Sequence, residues 1–258
     1  MFHIKFDHQS VVGHVRATNE DAYAVMHGNE YSGPLAVVCD GMGGAAGGQI
    51  ASRIACETFY DFSAYRVGIK PFNAGSNRKR LERMIHMANV KVRDFTQHHP
   101  QYKGMGTTVS ALLFLEDKIV VAHVGDSRIY RWRSGSLMRL TEDQTLRDYL
   151  LTTGRISPEE AIGHPSGNVL LQAVGPTPNL HRVQSLVDEL VDGDRFLMCS
   201  DGLSDLVSDN EIEEILEAQP FGQVCGDLVR MAMDRGGIDN VTVITAAVEA
   251  VALQRQAA

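Results

Sequence analysis

Short runs of apolar or alternating residues, bounded by turn-forming residues, fall into three clusters along the chain. Phe2–Asp7, Ala22–Met26 and Leu35–Cys39 form the first cluster. Thr107–Leu115, Lys118–Val124, Arg128–Trp132 and Ser136–Leu140 form the second, and His181–Leu186, Arg195–Ser200 and Val241–Val248 form the third. This patterning predicts strands. Glu116-Asp117 and Ser134-Gly135 separate neighbouring runs at hairpin spacing, so the sheets are expected to be mostly antiparallel.

Helical periodicity appears between these clusters. Ile50 and Ile54, with the Ala51, Ala55 and Phe59 row, place one apolar face on Gly47–Phe62. Leu81, Ile85, Ala88, Val92 and Phe95 do the same for Ser76–His98. A third helix is expected to start at Ser208-Asp209-Asn210-Glu211, where the Ser and Glu match a capping box, and a fourth to cover Phe221–Arg235. Strands in antiparallel sets with helices between them predict an α+β fold, two sheets packed as a sandwich with helices outside. Leu146–Pro178 differs: it is poor in strand pattern and rich in Gly and Pro. It is expected to form a mobile flap with one helix near Leu146–Thr153. Leu253–Ala258 is expected to fray.

The 258 residues lie near the upper limit for one core, so a single domain over 1–258 is expected, with the flap at about 146–178 as a subdomain. The net charge of −8 argues against nucleic acid or an anionic membrane as the main partner. No apolar stretch is long enough to span a bilayer, and the first residues lack an apolar signal core. Cys39, Cys56, Cys199 and Cys225 are far apart with no Cys-x-x-Cys pair, which fits small core residues in a reducing, cytoplasmic setting.

The candidate chemistry lies at the run ends. Leu35–Cys39 leads into Asp40-Gly41, Ile119–Gly125 into Asp126, and Phe196–Ser200 into Asp201-Gly202, while Asp239-Asn240 opens Val241–Ala247. A carboxylate at the rim of a buried sheet is costly unless it is paired or metal-bound. Each alone reads equally as a solvated turn. The set points to one acidic pocket for a hard cation such as Mg²⁺ or Mn²⁺, with the Gly41 carbonyl as a further oxygen donor.

Rival readings fit less well. Gly41-Met42-Gly43-Gly44-Ala45-Ala46 loosely matches a dinucleotide-binding pattern with Asp61 downstream, but Asp40 would repel a pyrophosphate and no apolar strand precedes Asp61. No Gly-Lys-Ser/Thr follows, so a P-loop is excluded. Cysteine-based phosphatase chemistry needs an arginine a fixed step after the nucleophile, and Ala45, Phe62, Asp205 and Met231 occupy those positions. In Gly13–Asp21, Arg16 suits a bidentate phosphate clamp, and Glu20 and Asp21 suit metal-bound waters. An Arg paired with a nearby acid on the surface fits the same charges.

Arg16…Asn19-Glu20-Asp21, Asp40-Gly41-Met42-Gly43-Gly44, Gly104-Met105-Gly106-Thr107-Thr108, Val124-Gly125-Asp126-Ser127-Arg128, Ser200-Asp201-Gly202-Leu203-Ser204-Asp205 and Asp239-Asn240-Val241-Thr242 occur in that order. The series resembles the motif order of type 2C metal-dependent protein phosphatases, the PPM family, over nearly the whole chain. The compact length and the flap make it similar to the bacterial single-domain branch. The resemblance implies a four-layer α-β-β-α fold, a central antiparallel β-sandwich flanked by helix pairs, with two Mn²⁺ or Mg²⁺ ions in a cleft. Asp40 would bridge both ions, Gly41 would add its carbonyl, Asp201 and Asp239 would bind the second ion, and Asp126 would share a weaker third ion with Asp201. Glu20, Asp21, Asp205 and Asn240 would act through waters or by supporting the ligands, and Arg16 would hold the substrate phosphate.

The implied activity is hydrolysis of phosphoserine and phosphothreonine in proteins by a water or hydroxide bridging the metals. The implied partners are phosphorylated proteins, substrates of a Ser/Thr kinase, and the kinase itself. The other readings are a catalytically silent phosphoprotein-binding module and a small-molecule phosphatase of the same fold. One position departs from the pattern. Many eukaryotic members carry a His after the Asp-Gly as a proposed general acid, and Met42 here cannot transfer a proton.

Overall fold

Odd and even residues of single strands enter different cores, and this alternation creates the layers. In Leu35–Met42, Leu35, Val37 and Cys39 face one core while Ala36 and Val38 face another. A strand apolar on both faces must be covered on both, so a second sheet lies on one side and helices on the other. The computed structural model describes residues 2–29, 32–44, 47–64 and 73–251. Along these the order is β1 (Phe2–Val11), β2 (Asp21–Met26), β3 (Leu35–Met42), α1 (Gly47–Ala64), α2 (Ala74–His98), β4 (Gly106–Thr107), β5 (Val109–Phe114), β6 (Lys118–Val124), β7 (Arg128–Arg133) and β8 (Ser136–Arg139). It continues with α3 (Leu146–Thr152), α4 (Pro158–Ala161), β9 (Gln184–Glu189), β10 (Arg195–Cys199), α5 (Asp201–Ser204), α6 (Asp209–Ala218), α7 (Phe221–Asp234) and β11 (Val241–Ala250).

One sheet has the order β1-β11-β10-β7-β8; the other has β2-β3-β5-β6-β9, with β4 paired to β3. All named pairings are antiparallel. The inter-sheet core joins Ala36, Val38, Leu112 and Phe114 to Ile129, Phe196, Met198 and Ile244. Phe114 meets Phe6 and Phe196 edge to face at 5.7 and 5.3 Å, a geometry worth about 0.5–1.5 kcal/mol per pair beyond burial. α1 and α2 cover the outer face of the β3 sheet through Ala51, Phe59, Leu81 and Ile85. α6 and α7 cover the other outer face through Ile212, Leu216, Val224 and Leu228. The expected four-layer α+β sandwich is therefore present. No helix among the described residues is long and apolar enough to cross a membrane.

Several local expectations change. β1 leaves its sequence neighbours and pairs along its whole length with β11, from Phe2↔Ala250 to Val11↔Val241. Thr107–Leu115 divides at Thr108, whose backbone and hydroxyl turn to Asp40. The strand expected at His181–Leu186 is shifted to Gln184–Glu189, because the side-chain carbonyl of Gln172 takes the N–H groups of His181 and Arg182. The flap holds a second helix, α4, closed by a Ser157–Glu160 capping box with Pro158 in its first turn. The hairpin at Ser134-Gly135 has positive φ at both residues, 50° and 81°, as the tightest two-residue turn requires. The tail Leu253–Ala258 lies outside the described residues, as do Ala45 and Ala46.

Candidate functional site

Asp40 is anchored before its side chain is considered. It pairs with Asp21 across β2 and β3, and its N–H donates to Thr108 Oγ1 at 2.9 Å. Its carbonyl accepts from the Thr108 N–H at 2.8 Å and the Thr107 hydroxyl at 2.9 Å. The Thr108 hydroxyl also meets that of Ser127 at 2.7 Å, which ties Asp40 to the segment carrying Asp126. After Asp40 the chain must pass close to α1. A Cβ on Gly41 would stand 2.2 Å from the Gly48 carbonyl oxygen, so only glycine fits.

The other carboxylates arrive from the second sheet. Asp201 opens α5 directly after β10, and Asp239 lies just before β11. The two strand ends touch where a Cβ on Gly202 would fall 2.0 Å from the Asn240 carbonyl oxygen. Asp21 bridges the sheets by accepting from the Ser200 hydroxyl at 2.8 Å and the Thr242 hydroxyl at 2.6 Å. Asn240 is buried and sets the loop that carries Arg16. Its amide donates to the carbonyls of Val12 and Thr18, and its Oδ1 accepts from the Glu20 N–H.

These anchors form one cavity of about 220 Å³ lined by Arg16, Glu20, Asp40, Gly41, Met42, Gly43, Thr108, Asp126, Asn168, Leu170, Asp201 and Asp239. Seven residues singled out from sequence, Arg16, Glu20, Asp40, Gly41, Asp126, Asp201 and Asp239, thus share one cleft. Asp21 and Asn240 lie behind the wall as supports, and Asp205 is exposed outside the lining. Arg16 pairs with Asp239 at 2.6 Å. Thr108, Asn168 and Leu170 were not assigned to the site from sequence. Thr108 had a signal in the Thr107-Thr108 motif, whereas the flap residues Asn168 and Leu170 had none.

Burial and mutual repulsion set the electrostatics of the cleft. Burial, then the charges of Asp201, Asp21 and Asp126, hold the Asp40 carboxyl well above the usual carboxylate range. Burial, then Asp126 and Asp205, does the same for Asp201. Asp126 is pushed up to about 7, first by burial and then by Asp143 and Asp205. Asp21 is raised to about 6, mainly by burial. The hydrogen bond from Arg16 to Asp239 leads the causes that raise the Arg16 pKa. Among the described residues, no three His, Cys, Asp or Glu side chains already stand together as a ligand set. Bare carboxylates repel one another, which raises the Asp40 and Asp201 carboxyls, while Asp239 takes the arginine Arg16. The donor set is all oxygen, which fits a hard divalent cation.

The family model described as protein phosphatase 2C matches residues 13–239. The chain is 35% identical over 249 residues to the serine/threonine protein phosphatase PstP of Mycobacterium tuberculosis, covering 94% of this chain and 45% of that protein. It therefore spans about half the length of that relative. It is also 35% identical over 233 residues to the serine/threonine phosphatase stp of Listeria monocytogenes, covering 90% of this chain and 91% of the other. The PstP catalytic domain crystallised with two manganese ions superposes with a TM-score of 0.83 at 33% identity, over 97% of this chain and 100% of that one. The S. agalactiae serine/threonine phosphatase gives 0.86 at 33% identity, over 95% and 100%. With a family model matched over most of its length and relatives 35% identical, the chain belongs to the protein phosphatase 2C family.

Proposed function

We propose that the chain is a metal-dependent protein phosphatase acting on phosphoserine and phosphothreonine. The observation that carries this reading is the single cleft that gathers Asp40, Gly41, Asp126, Asp201 and Asp239 beside Arg16. Asp40 and the Gly41 carbonyl would hold one divalent cation, and Asp40, Asp201 and Asp239 a second. When bound, the cations polarise water for attack and neutralise charge on the phosphoryl oxygens. The two-manganese PstP structure supports a pair of ions here. Asp126 beside Asp201 would hold a third, weaker ion.

The chain's own residues orient the substrate. Arg16 is half exposed at the mouth, where its planar guanidinium can exchange Asp239 for phosphate. Met42 offers no proton to the leaving oxygen, and no histidine lines the cleft among the described residues. The partners in this reading are phosphorylated proteins, a Ser/Thr kinase whose work is reversed, and the kinase itself. A cytoplasmic site accords with four buried free thiols, two of them, Cys39 and Cys56, 3.5 Å apart.

Phosphate release from a phosphothreonine peptide tests the proposal. Exhaustive chelation should abolish it and Mn²⁺ restore it; full activity after chelation would end the metal-dependent reading. Faster turnover of sugar phosphates than of the peptide would favour the small-molecule alternative, and no hydrolysis at all the silent module. Calorimetric Mn²⁺ titration should show two tight equivalents and one weaker, the weaker one missing in Asp126→Ala.

A further inference from the structure

A second groove lies on the far side of the cleft wall, and its charge is opposite to that of the cleft. It encloses about 340 Å³ and is lined by Arg93, Thr96 and Gln97 of α2 with Lys103, Gly104 and Pro176. Among the described residues its lining holds two cations and no carboxylate, and neither Arg93 nor Lys103 forms an ion pair. Many other cations are committed: Arg128, Arg131, Arg133, Arg139, Arg147, Arg182, Arg230 and Arg235 are each paired with a carboxylate. In a chain of net charge −8, two uncommitted cations in one concavity mark a local reversal of the field.

The groove and the catalytic cleft share a thin partition. Met42 lines the cleft and pairs in register with Gly106. Pro176 lines the groove, and its ring carbons and the Met42 methyl all lie within 3.0 Å of the point where a Gly106 Cβ would stand. On the same wall, Gly43 of the cleft abuts Met105, next to Gly104 of the groove. Among the described residues, Met42 on the cleft side and Pro176 on the groove side meet across Gly106, so a polypeptide with its phosphoresidue in the cleft can pass over them into the groove. The Pro176 end is fixed, because Asn89 of α2 accepts from the Gly175 N–H at 2.7 Å and donates to the carbonyls of Thr177 and Pro178.

We propose that this groove docks an acidic stretch flanking the phosphoresidue of a protein substrate, with Arg93 and Lys103 as the selecting cations. The proposal rests on the phosphatase reading and adds substrate selection to it. Exposed charge pairs contribute modestly and are screened by salt, so the effect should lie in KM and vanish at high ionic strength.

The test uses three phosphothreonine peptides, with neutral flanks, an acidic run before the phosphoresidue, or an acidic run after it. p-Nitrophenyl phosphate serves as a substrate too small to reach the groove. The Mn²⁺-loaded chain should prefer one acidic peptide by about three- to tenfold in kcat/KM, as expected for two rim charges. Arg93→Glu with Lys103→Glu should remove or reverse the preference while aryl phosphate turnover stays within about twofold. The milder Arg93→Gln with Lys103→Gln should remove it without adding repulsion. Equal use of all three peptides, or a preference untouched by both variants, would overturn the docking proposal while leaving the phosphatase reading intact. Failure of the wild-type chain on every substrate would overturn both.

Discussion

Arg16 and Asp40 illustrate how residues of one cleft serve different tasks. Asp40 is buried among Asp201, Asp21 and Asp126, and its main chain is bonded on both sides. Arg16 stands at the mouth, paired with Asp239. Asp40→Asn should therefore reduce turnover by about a hundred- to a thousandfold, in line with losing a central charge-stabilising group. Arg16→Ala should raise KM about tenfold with Mn²⁺ affinity retained, the signature of lost substrate binding. Steady-state kinetics and metal titration on both variants check the contrast, and unchanged kinetics in Arg16→Ala would leave it an ordinary surface cation. The Asp40-Gly41 motif was legible because carboxylate and glycine are adjacent in sequence. The Asp21–Ser200–Thr242 link was not, since its members meet only across two sheets.

At the scale of elements, the flap segment is tied at both ends. Thr145 bridges to Leu170 and Thr107 to Val174, so Asn168 and Leu170 are carried to the cleft. Asn89 is the strongest of these ties because it is buried and makes three bonds to Gly175–Pro178. Asn89→Ala should cost about 1–3 kcal/mol, the usual loss when buried partners are left unsatisfied. Urea unfolding would measure this. Hydrogen exchange should show Val174–Pro178 opening first, and uniform loss of protection across the sandwich would contradict the local role. The composition of Leu146–Pro178 announced an irregular segment, and Leu146–Thr152 emerged close to its expected bounds. The α4 capping box was written in Ser157-Pro158-Glu159-Glu160 but is too short to show a helical apolar stripe.

For the whole molecule, the protons held by the cleft predict how the metal-free fold responds to pH. Asp126 near 7, Asp21 near 6, and the raised Asp40 and Asp201 all bind protons in the folded state at pH values where unfolded carboxylates have lost theirs. For each such group stability falls as pH rises, by up to about 1.4 kcal/mol per pH unit per extra proton. Buried His123 has the opposite sign. Its pKa is lowered to about 4 by burial, so it adds stability as pH rises from about 4 to the normal histidine value. Above about pH 6.5 that contribution is complete and the carboxylates act unopposed. In chelator, Tm should therefore fall between pH 6.5 and 8. With saturating Mn²⁺ it should rise overall and lose that fall, since bound cations stabilise the ionised carboxylates. Thermal melts at the two pH values, with and without metal, check this; a pH-independent Tm in chelator would contradict it.

The sequence by itself determined the longer strands and helices, because apolar periodicity is a local property that each such segment carries with it. It also singled out Asp40, Gly41, Asp126, Asp201 and Asp239, each readable at an end of an apolar run, and the structure brings all five to one cleft. Tertiary structure decided which sheet each strand joined: β1 pairs with β11 at the opposite end of the chain, and no local period encodes that choice. It also decided which acids face the cleft, which ones brace it from behind, and that Arg93, Lys103 and Pro176 share a groove. Those outcomes depend on contacts between segments far apart in sequence, where chain closure and the packing of two sheets, rather than local preference, set the geometry.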